Sequence, residues 1–368
     1  MLELADIVRA AGDVYQRRHG AALLPSHRRV LRDVVACRTA ALGGHVHACD
    51  HCGARQYSYH SCRNRHCPKC HGEQTQRWLD RQRARLLPCA YFLLTFTLPA
   101  ELRALARAHQ KLVYGLLMTA AAAALLKLTA DPRYLGARPG MLAVLHTWTR
   151  ALLYHPHVHM LVTAGGLRDA DHTWVPPTHA AFLVPGRVLS RLFRAKVCAG
   201  LRRAGLLDQA PATVWRREWV VHVQPAGSGQ KVLDYLARYV FRVAIVNSRL
   251  ERFADGQVTF RYRDGRTGTL KRCTLDALAF LGRFPQHVLP QGFAKVRHYG
   301  LFSPSRYALL ALAREQLVAA SASPLPVEAP SDPAPARAPA PVPAPRCPSC
   351  GIGALHLVET LRPTGRSP

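Results

Sequence analysis

The chain has 368 residues, 49% of them hydrophobic, which is enough to bury a core across two or three domains and argues against a disordered or fibrous protein. Fifty Lys and Arg face 22 Asp and Glu, for a formal charge of +28, and a folded protein carries such an excess best beside a polyanion. Nucleic acid is the expected partner. The opening MLELADIVRAAGDVYQRRHG mixes acids and arginines where a secretory signal needs an apolar run, so a cytoplasmic protein is expected. Leu112 to Leu126 is Ala-rich and shorter than the roughly 20 residues of a membrane span, which predicts a buried or amphipathic helix and no membrane partner.

The expected class is α+β: an N-terminal helical and zinc-binding module, then a sheet with flanking helices. In chain order, the first 36 residues read as helices, with Ser26 as a cap before the second. Residues 1–88 form the expected zinc-binding, DNA-recognition domain. YFLLTFTL from Tyr91 reads as a buried strand, Ala100 to Thr129 as helix, and HPHVHMLVTAGG as a strand running into a glycine turn. Residues 187–204 read as a helix, WVVHVQ from Trp219 as a strand, and Val232 to Val243 as a helix. These elements make 89–250 the second domain, with 251–320 as its extension, where VTFRYRDGRTGTL reads as a hairpin turning tightly at Asp264-Gly265. The Pro/Ala-rich text of 321–346 is a linker, and 347–368 a short tail.

Eleven cysteines without an export signal point to metal rather than disulfides. Cys49-x2-Cys52 and Cys67-x2-Cys70 are separated by residues 53–66, and such pairs present four thiolates to one structural zinc ion. Cys37, Cys62 and His66 lie in the same stretch and would serve a second ion. Arg63, Arg65 and Lys69 crowd this module, in a pattern that suits phosphate contact. Cys347 and Cys350 form a lone C-x2-C, which needs ligands from elsewhere, such as His356, or from another chain.

In His155-Pro156-His157-Val158-His159 the histidines alternate, so on a strand they share a face, and two imidazoles there can converge on one ion. In VLDYLARYVFR, Tyr235 and Tyr239 lie one helical turn apart, with Arg238 and Arg242 as a second such pair. A phenol attacks poorly at neutral pH unless a cation stabilises it, which a histidine-bound ion could supply.

These residues resemble the rolling-circle transposases of the insertion-sequence-91 family, which are HUH endonucleases. The resemblance rests on LADIVRAAGDVYQRRHG, CRTAALGGHVHACDHCG, SCRNRHCPKC, LHTWTRALLYHPHVHMLVTAGGL, WVVHVQP, LDYLARYVFRVAIVNSRL and VRHYGLFSP, and so covers most of the chain. It implies an HUH-type sheet and a bacterial protein that joins the nucleoid when bound to DNA. It puts the HUH motif on His157, Val158 and His159, and the paired nucleophiles on Tyr235 and Tyr239. His157, His159 and a third ligand would hold Mg²⁺ or Mn²⁺; His155, His222 and Gln224 are the candidates for that ligand, Glu218 a weaker one. A tyrosine would then cut single-stranded DNA at transposon ends and target through a 5′-phosphotyrosine. A replication initiator or relaxase would share this chemistry, whereas a non-catalytic zinc-dependent regulator would use these histidines and tyrosines structurally. The oligomeric state has no signature in the sequence.

Overall fold

The computed structural model describes residues 1–70, 78–82, 85–228, 243–265, 267–321 and 345–364. It is a mixed α/β chain with antiparallel sheets and N-terminal helices. Helices α1 (Leu4–His19) and α2 (Pro25–Ala36) open it. The backbone N–H of Glu3 donates to Asp6 Oδ2 at 2.9 Å, closing a capping box, and Leu4, Ile7, Val8, Ala11 and Tyr15 form the buried stripe of α1. The second helix starts two residues earlier than the Ser26 cap predicts: Leu24 is the cap and Pro25 takes the first turn, where its missing N–H costs nothing.

Strands β1 (Gly44–Cys49) and β2 (Arg55–Tyr59) follow as a hairpin, then β3 (Ala90–Thr97), the short helix α3 (Arg103–Ala108) and α4 (Gln110–Thr129). Helix signals from Ala100 to Thr129 are interrupted at His109, which has left the helical backbone region. At 20 residues α4 is long and apolar enough to cross a membrane, yet it is a core helix, burying Val113, Tyr114, Leu117, Ala121 and Leu125 against the main sheet.

Strands β4 (Gly140–Trp148) and β5 (Tyr154–Thr163) form the next hairpin. After them come the two-residue pair β6 (Gly166–Leu167) and β7 (Trp174–Val175), helix α5 (Gly186–Arg203) and strand β8 (Val221–Ser228). Helices α4 and α5 cross closely at Gly200, where a Cβ would stand 2.2 Å from Leu116 Cδ1. The helix expected over Val232 to Val243 lies outside the described residues except for its last one.

Beyond Val243, β10 (Gln257–Arg263) and β11 (Leu270–Asp276) form the expected hairpin, which β9 (Leu250–Ala254) extends into a three-stranded meander. Its tight turn is Asp255-Gly256, both at positive φ as a two-residue hairpin loop demands. The predicted Asp264-Gly265 turn is instead part of a longer loop, in which Asp264 N–H donates to Thr269 O and Gly268 takes the positive φ. Helix α6 (Ala277–Arg283), strand β12 (Val296–Gly300), helix α7 (Tyr307–Ser321) and strand β13 (Leu355–Leu361) complete the chain.

The main sheet is antiparallel, in the order β12-β4-β5-β3-β8, with β5 central. Its edge strand β12 comes from the stretch expected to be an extension. Alternation gives the sheet two unlike faces. Phe92, Leu94, Phe96, Met141, Ala143, Leu145, Val158, Met160 and Val162 belong to one core with α4 and α5. On the other face, Tyr91, Leu142, Val144 and Leu161 pack on Leu301, Phe302 and Leu310 at one end, and the opposite end is polar. A separate core joins α1, α2 and α6 to the β9–β11 meander. The third sheet has the order β13-β1-β2, so the C-terminal strand lies against the N-terminal hairpin.

Candidate active site and metal centres

The polar end of the main sheet is built by register. His157 lies directly opposite His146 on β4 and Thr97 on β3; His159 lies opposite Val144 and Thr95. His146, His157 and His159 each bring a ring nitrogen within 4.8 Å of the other two. The Nδ1 atom of His157 stands 2.7 Å from the carbonyl oxygen of His155. A carbonyl only accepts, so Nδ1 carries the proton and Nε2 presents its lone pair. That lone pair faces His159 Nε2 at 3.1 Å. Either His159 donates across the gap or a cation fills it. Cis ligands on an octahedral ion with bonds of about 2.1 Å stand about 3.0 Å apart, so the spacing suits a shared ion. Burial lowers the His157 pKa, against the smaller opposing effect of the His155 carbonyl, and so favours the neutral ring a metal ligand requires.

A further layer orients these rings. Thr95 Oγ1 lies 3.2 Å from His159 Nδ1. Trp148 stacks on His146 at 4.9 Å between centroids, and Lys295 Nζ sits 5.0 Å over the Trp148 ring. Burial, reinforced by the Arg65 charge, pushes Lys295 down to about 7.

The residues proposed as third ligand are placed elsewhere. His155 shares the face, but its Nδ1 receives a hydrogen bond from Arg103 Nη2 at 2.7 Å, and burial, then the His157 and Arg103 charges, push it down to about 4. His222 lies in the His159 row but beyond Thr95, two strands away, and is exposed; Gln224 on the same strand is exposed as well. Glu218 precedes the strand on the surface. The residue that joins the pair is His146, which the sequence reading missed: only the β4–β5 register relates position 146 to 157. Tyr235, Tyr239, Arg238 and Arg242 lie outside the described residues.

The cysteines also regroup. Cys49 and Cys52 do not meet Cys67 and Cys70. The latter pair groups with Cys37 and Cys62, the two residues held in reserve for a second ion, and His66 is not in that group. Cys37 ends α2, Cys62 follows β2, and Cys67-x2-Cys70 forms a knuckle with Cys70 N–H donating to Cys67 O. Sγ of Cys70 stands 3.4 Å from that of Cys37 and 3.5 Å from that of Cys62. A tetrahedron of Zn–S bonds has edges of about 3.8 Å, so four thiolates at this spacing fit structural zinc with no position open for substrate. Hydrogen bonds from Cys62, then Cys67, hold the Cys37 thiol far below its ordinary range, in the direction of the thiolate. Cys49 and Cys52 lie instead beside Cys347 and Cys350.

Two of the expected DNA contacts are engaged internally. Arg65 donates to the carbonyl oxygens of Phe293 at 2.6 Å and Pro290 at 2.9 Å, and Lys69 pairs with Glu3 at 2.5 Å. These bonds tie the cysteine module to the segment before β12 and to α1. Arg63, at φ +53, remains exposed.

Comparison with known proteins gives consistent matches. Residues 140–308 match a family model described as "Putative transposase", and residues 7–98 match one described as "Transposase zinc-binding domain". The chain is 42% identical over 344 residues to "Putative transposase y4qJ" of Sinorhizobium fredii, covering 88% of this chain and 86% of that one. It is 30% identical over 334 residues to the transposase for insertion sequence element IS801 of Pseudomonas savastanoi pv. phaseolicola, covering 86% and 80%. No solved structure matches the chain significantly.

Proposed function

The chain belongs to the insertion-sequence-91 family of transposases, and from that premise we propose that it moves its element by cutting and rejoining single-stranded DNA through a tyrosine–phosphate bond. The observation that carries this reading is the convergence of His146, His157 and His159 on the polar end of the central strand. An H-x-H on the central strand of a five-stranded antiparallel sheet is the arrangement an HUH endonuclease requires. These three imidazoles would hold Mg²⁺ or Mn²⁺, which when bound polarises a scissile phosphate as a Lewis acid.

The chain's own groups do the rest. Thr95 and the His155 carbonyl fix the ring orientations, and Trp148 closes the inner side of the site. Tyr235 or Tyr239 supplies the nucleophile: its phenolate oxygen bonds to phosphorus, the bond from phosphorus to the 3′ oxygen breaks, and that oxygen leaves as a 3′-hydroxyl once protonated. The phosphotyrosine keeps the energy of the phosphodiester, so a later 3′-hydroxyl reverses the step and rejoins the strand. Tyr239 stands four residues before Val243, where the described chain resumes beside Ala244 and Ile245, in the core against which Trp148 packs. Arg63, Arg238 and Arg242 are the proposed phosphate contacts.

The test is incubation of the full chain with a labelled single-stranded oligonucleotide carrying the element's end, with Mn²⁺ or with chelator. A denaturant-resistant adduct should form with Mn²⁺ and vanish in Tyr235→Phe/Tyr239→Phe. An adduct that persists in the double variant removes the tyrosine mechanism. No cleavage under any condition leaves a zinc-dependent DNA-binding regulator.

A further inference from the structure

A second group of four cysteines lies outside both sites described so far, and its members come from opposite ends of the chain. Cys49 ends β1 and Cys52 follows it, and Cys347 and Cys350 precede β13. The two segments have the same local structure. Each is Cys-x2-Cys-Gly, with the glycine at positive φ (Gly53 at +68°, Gly351 at +70°). In each, the glycine N–H donates to the carbonyl of the first cysteine, Gly53 to Cys49 at 3.1 Å and Gly351 to Cys347 at 2.9 Å. Each also aims a backbone N–H at a sulfur: Cys52 N at Cys49 Sγ, 3.4 Å, and Gly353 N at Cys350 Sγ, 3.5 Å. These are two zinc knuckles facing one another.

The sulfur spacing selects the ligand. Sγ of Cys49 is 3.7 Å from that of Cys350, and Sγ of Cys52 is 3.8 Å from that of Cys347. A disulfide would need about 2.0 Å, whereas the edge of a Zn–S tetrahedron is about 3.8 Å. All four sulfurs lie within 4.8 Å of one another. Around them the backbones are already joined: Asp50 N–H donates to Ala354 O, Ala354 N–H donates to Asp50 Oδ1, and β1 pairs with β13 from Gly44–Leu361 to Cys49–Leu355. Apolar burial does not account for this docking, because Leu357 and Val358 of β13 stay more than half exposed. A strand with so little buried surface needs another source of free energy, and metal ligation supplies it.

We propose that Cys49, Cys52, Cys347 and Cys350 bind a second structural zinc ion, which closes the C-terminal tail of the chain onto its own N-terminal module as a three-stranded zinc ribbon. Its ligands are supplied in pairs separated by about 300 residues of chain. The C-terminal pair lies outside the segment matched to the zinc-binding family model.

The test is zinc content of the full chain, purified under reducing conditions, by atomic emission. Cys347→Ser/Cys350→Ser should lose one ion per chain relative to wild type, Cys49→Ser/Cys52→Ser should lose one, and the fourfold variant should lose that same one and no more. Alkylation with N-ethylmaleimide gives an independent reading. In Cys347→Ser/Cys350→Ser, Cys49 and Cys52 should become reactive while Cys37, Cys62, Cys67 and Cys70 stay protected, which also certifies that the module is folded. Full zinc retention in the tail variant overturns the proposal, as does loss of two ions in the fourfold variant. Recovery of the lost ion on mixing the two double variants puts the tail on a neighbouring copy, and overturns closure within one chain.

Discussion

The cysteine module and the histidine sheet divide the work between fold and metal in opposite ways. Strand β2 is largely exposed and β13 almost entirely so, and the ribbon they form with β1 has little core of its own. The main sheet buries a face of Phe, Leu, Met and Val beneath two helices. Under the proposed assignments, an ion would hold the fold in the first region, whereas in the second the fold already holds the three histidines together. The lesson is that a metal site's effect on stability depends on how much apolar surface its surroundings bury without it.

The comparison breaks most readily by removing metal. Structural zinc sites contribute about 10 kcal/mol or more, so Cys49→Ser, or dialysis against a strong chelator, should open the β13-β1-β2 ribbon while the main-sheet transition survives in a urea melt. Loss of both transitions together would mean that the two regions are not independent. His146→Gln reverses the pattern. Cleavage of single-stranded DNA should fall by more than about 100-fold, beyond the usual effect of an outer residue, with the melting temperature within a few degrees of wild type. Activity retained in that variant removes His146 from the site.

Acid sharpens the contrast from the other side. His287 is fully buried, near Thr147 Oγ1 and the Leu152 carbonyl, and burial pushes its pKa down to about 4. The unfolded chain takes up that proton near pH 6.5 and the folded chain only near 4, so the stability is present above 6.5 and lost as pH falls between the two. At pH 4 the loss should be on the order of 3 kcal/mol. Urea melts of the main-sheet transition from pH 7 to 4.5 should show a shallower decline in His287→Gln than in wild type; equal slopes would acquit this residue. The smallest effect expected is for Thr95→Val, which removes the hydroxyl beside His159. Cleavage should drop about tenfold at low Mn²⁺ and recover as Mn²⁺ is raised.

What the sequence makes legible follows the range of the interaction. Local periodicity places β3, β5 and α5 well, because alternation and helical stripes are written into neighbouring residues. C-x2-C identifies each knuckle for the same reason. It does not say which knuckles pair: Cys49 and Cys52 are nearer in sequence to Cys67 and Cys70, yet strand pairing with β13 takes them to Cys347 and Cys350. His146 was hidden in the same way, since its partnership with His157 exists only across a hairpin whose register depends on the turn. The hairpin around Asp264-Gly265 is present as β10–β11, but its connection is a longer loop, because a turn signal does not report how far its flanking strands extend. Arg65 and Lys69 read as surface cations because composition does not reveal a carbonyl or a carboxylate waiting in a distant segment.

The order β13-β1-β2 also sets a timetable for synthesis. At about 5–20 residues per second, the ribosome delivers Cys350 roughly 15 to 60 seconds after Cys49. Throughout that interval β1 presents an unpaired edge to the nascent chain's surroundings, and its sulfurs wait for partners that have not yet been translated. A chain cut between Ser321 and Cys347 would therefore carry every strand of the histidine sheet and an open, thiol-exposing edge on β1.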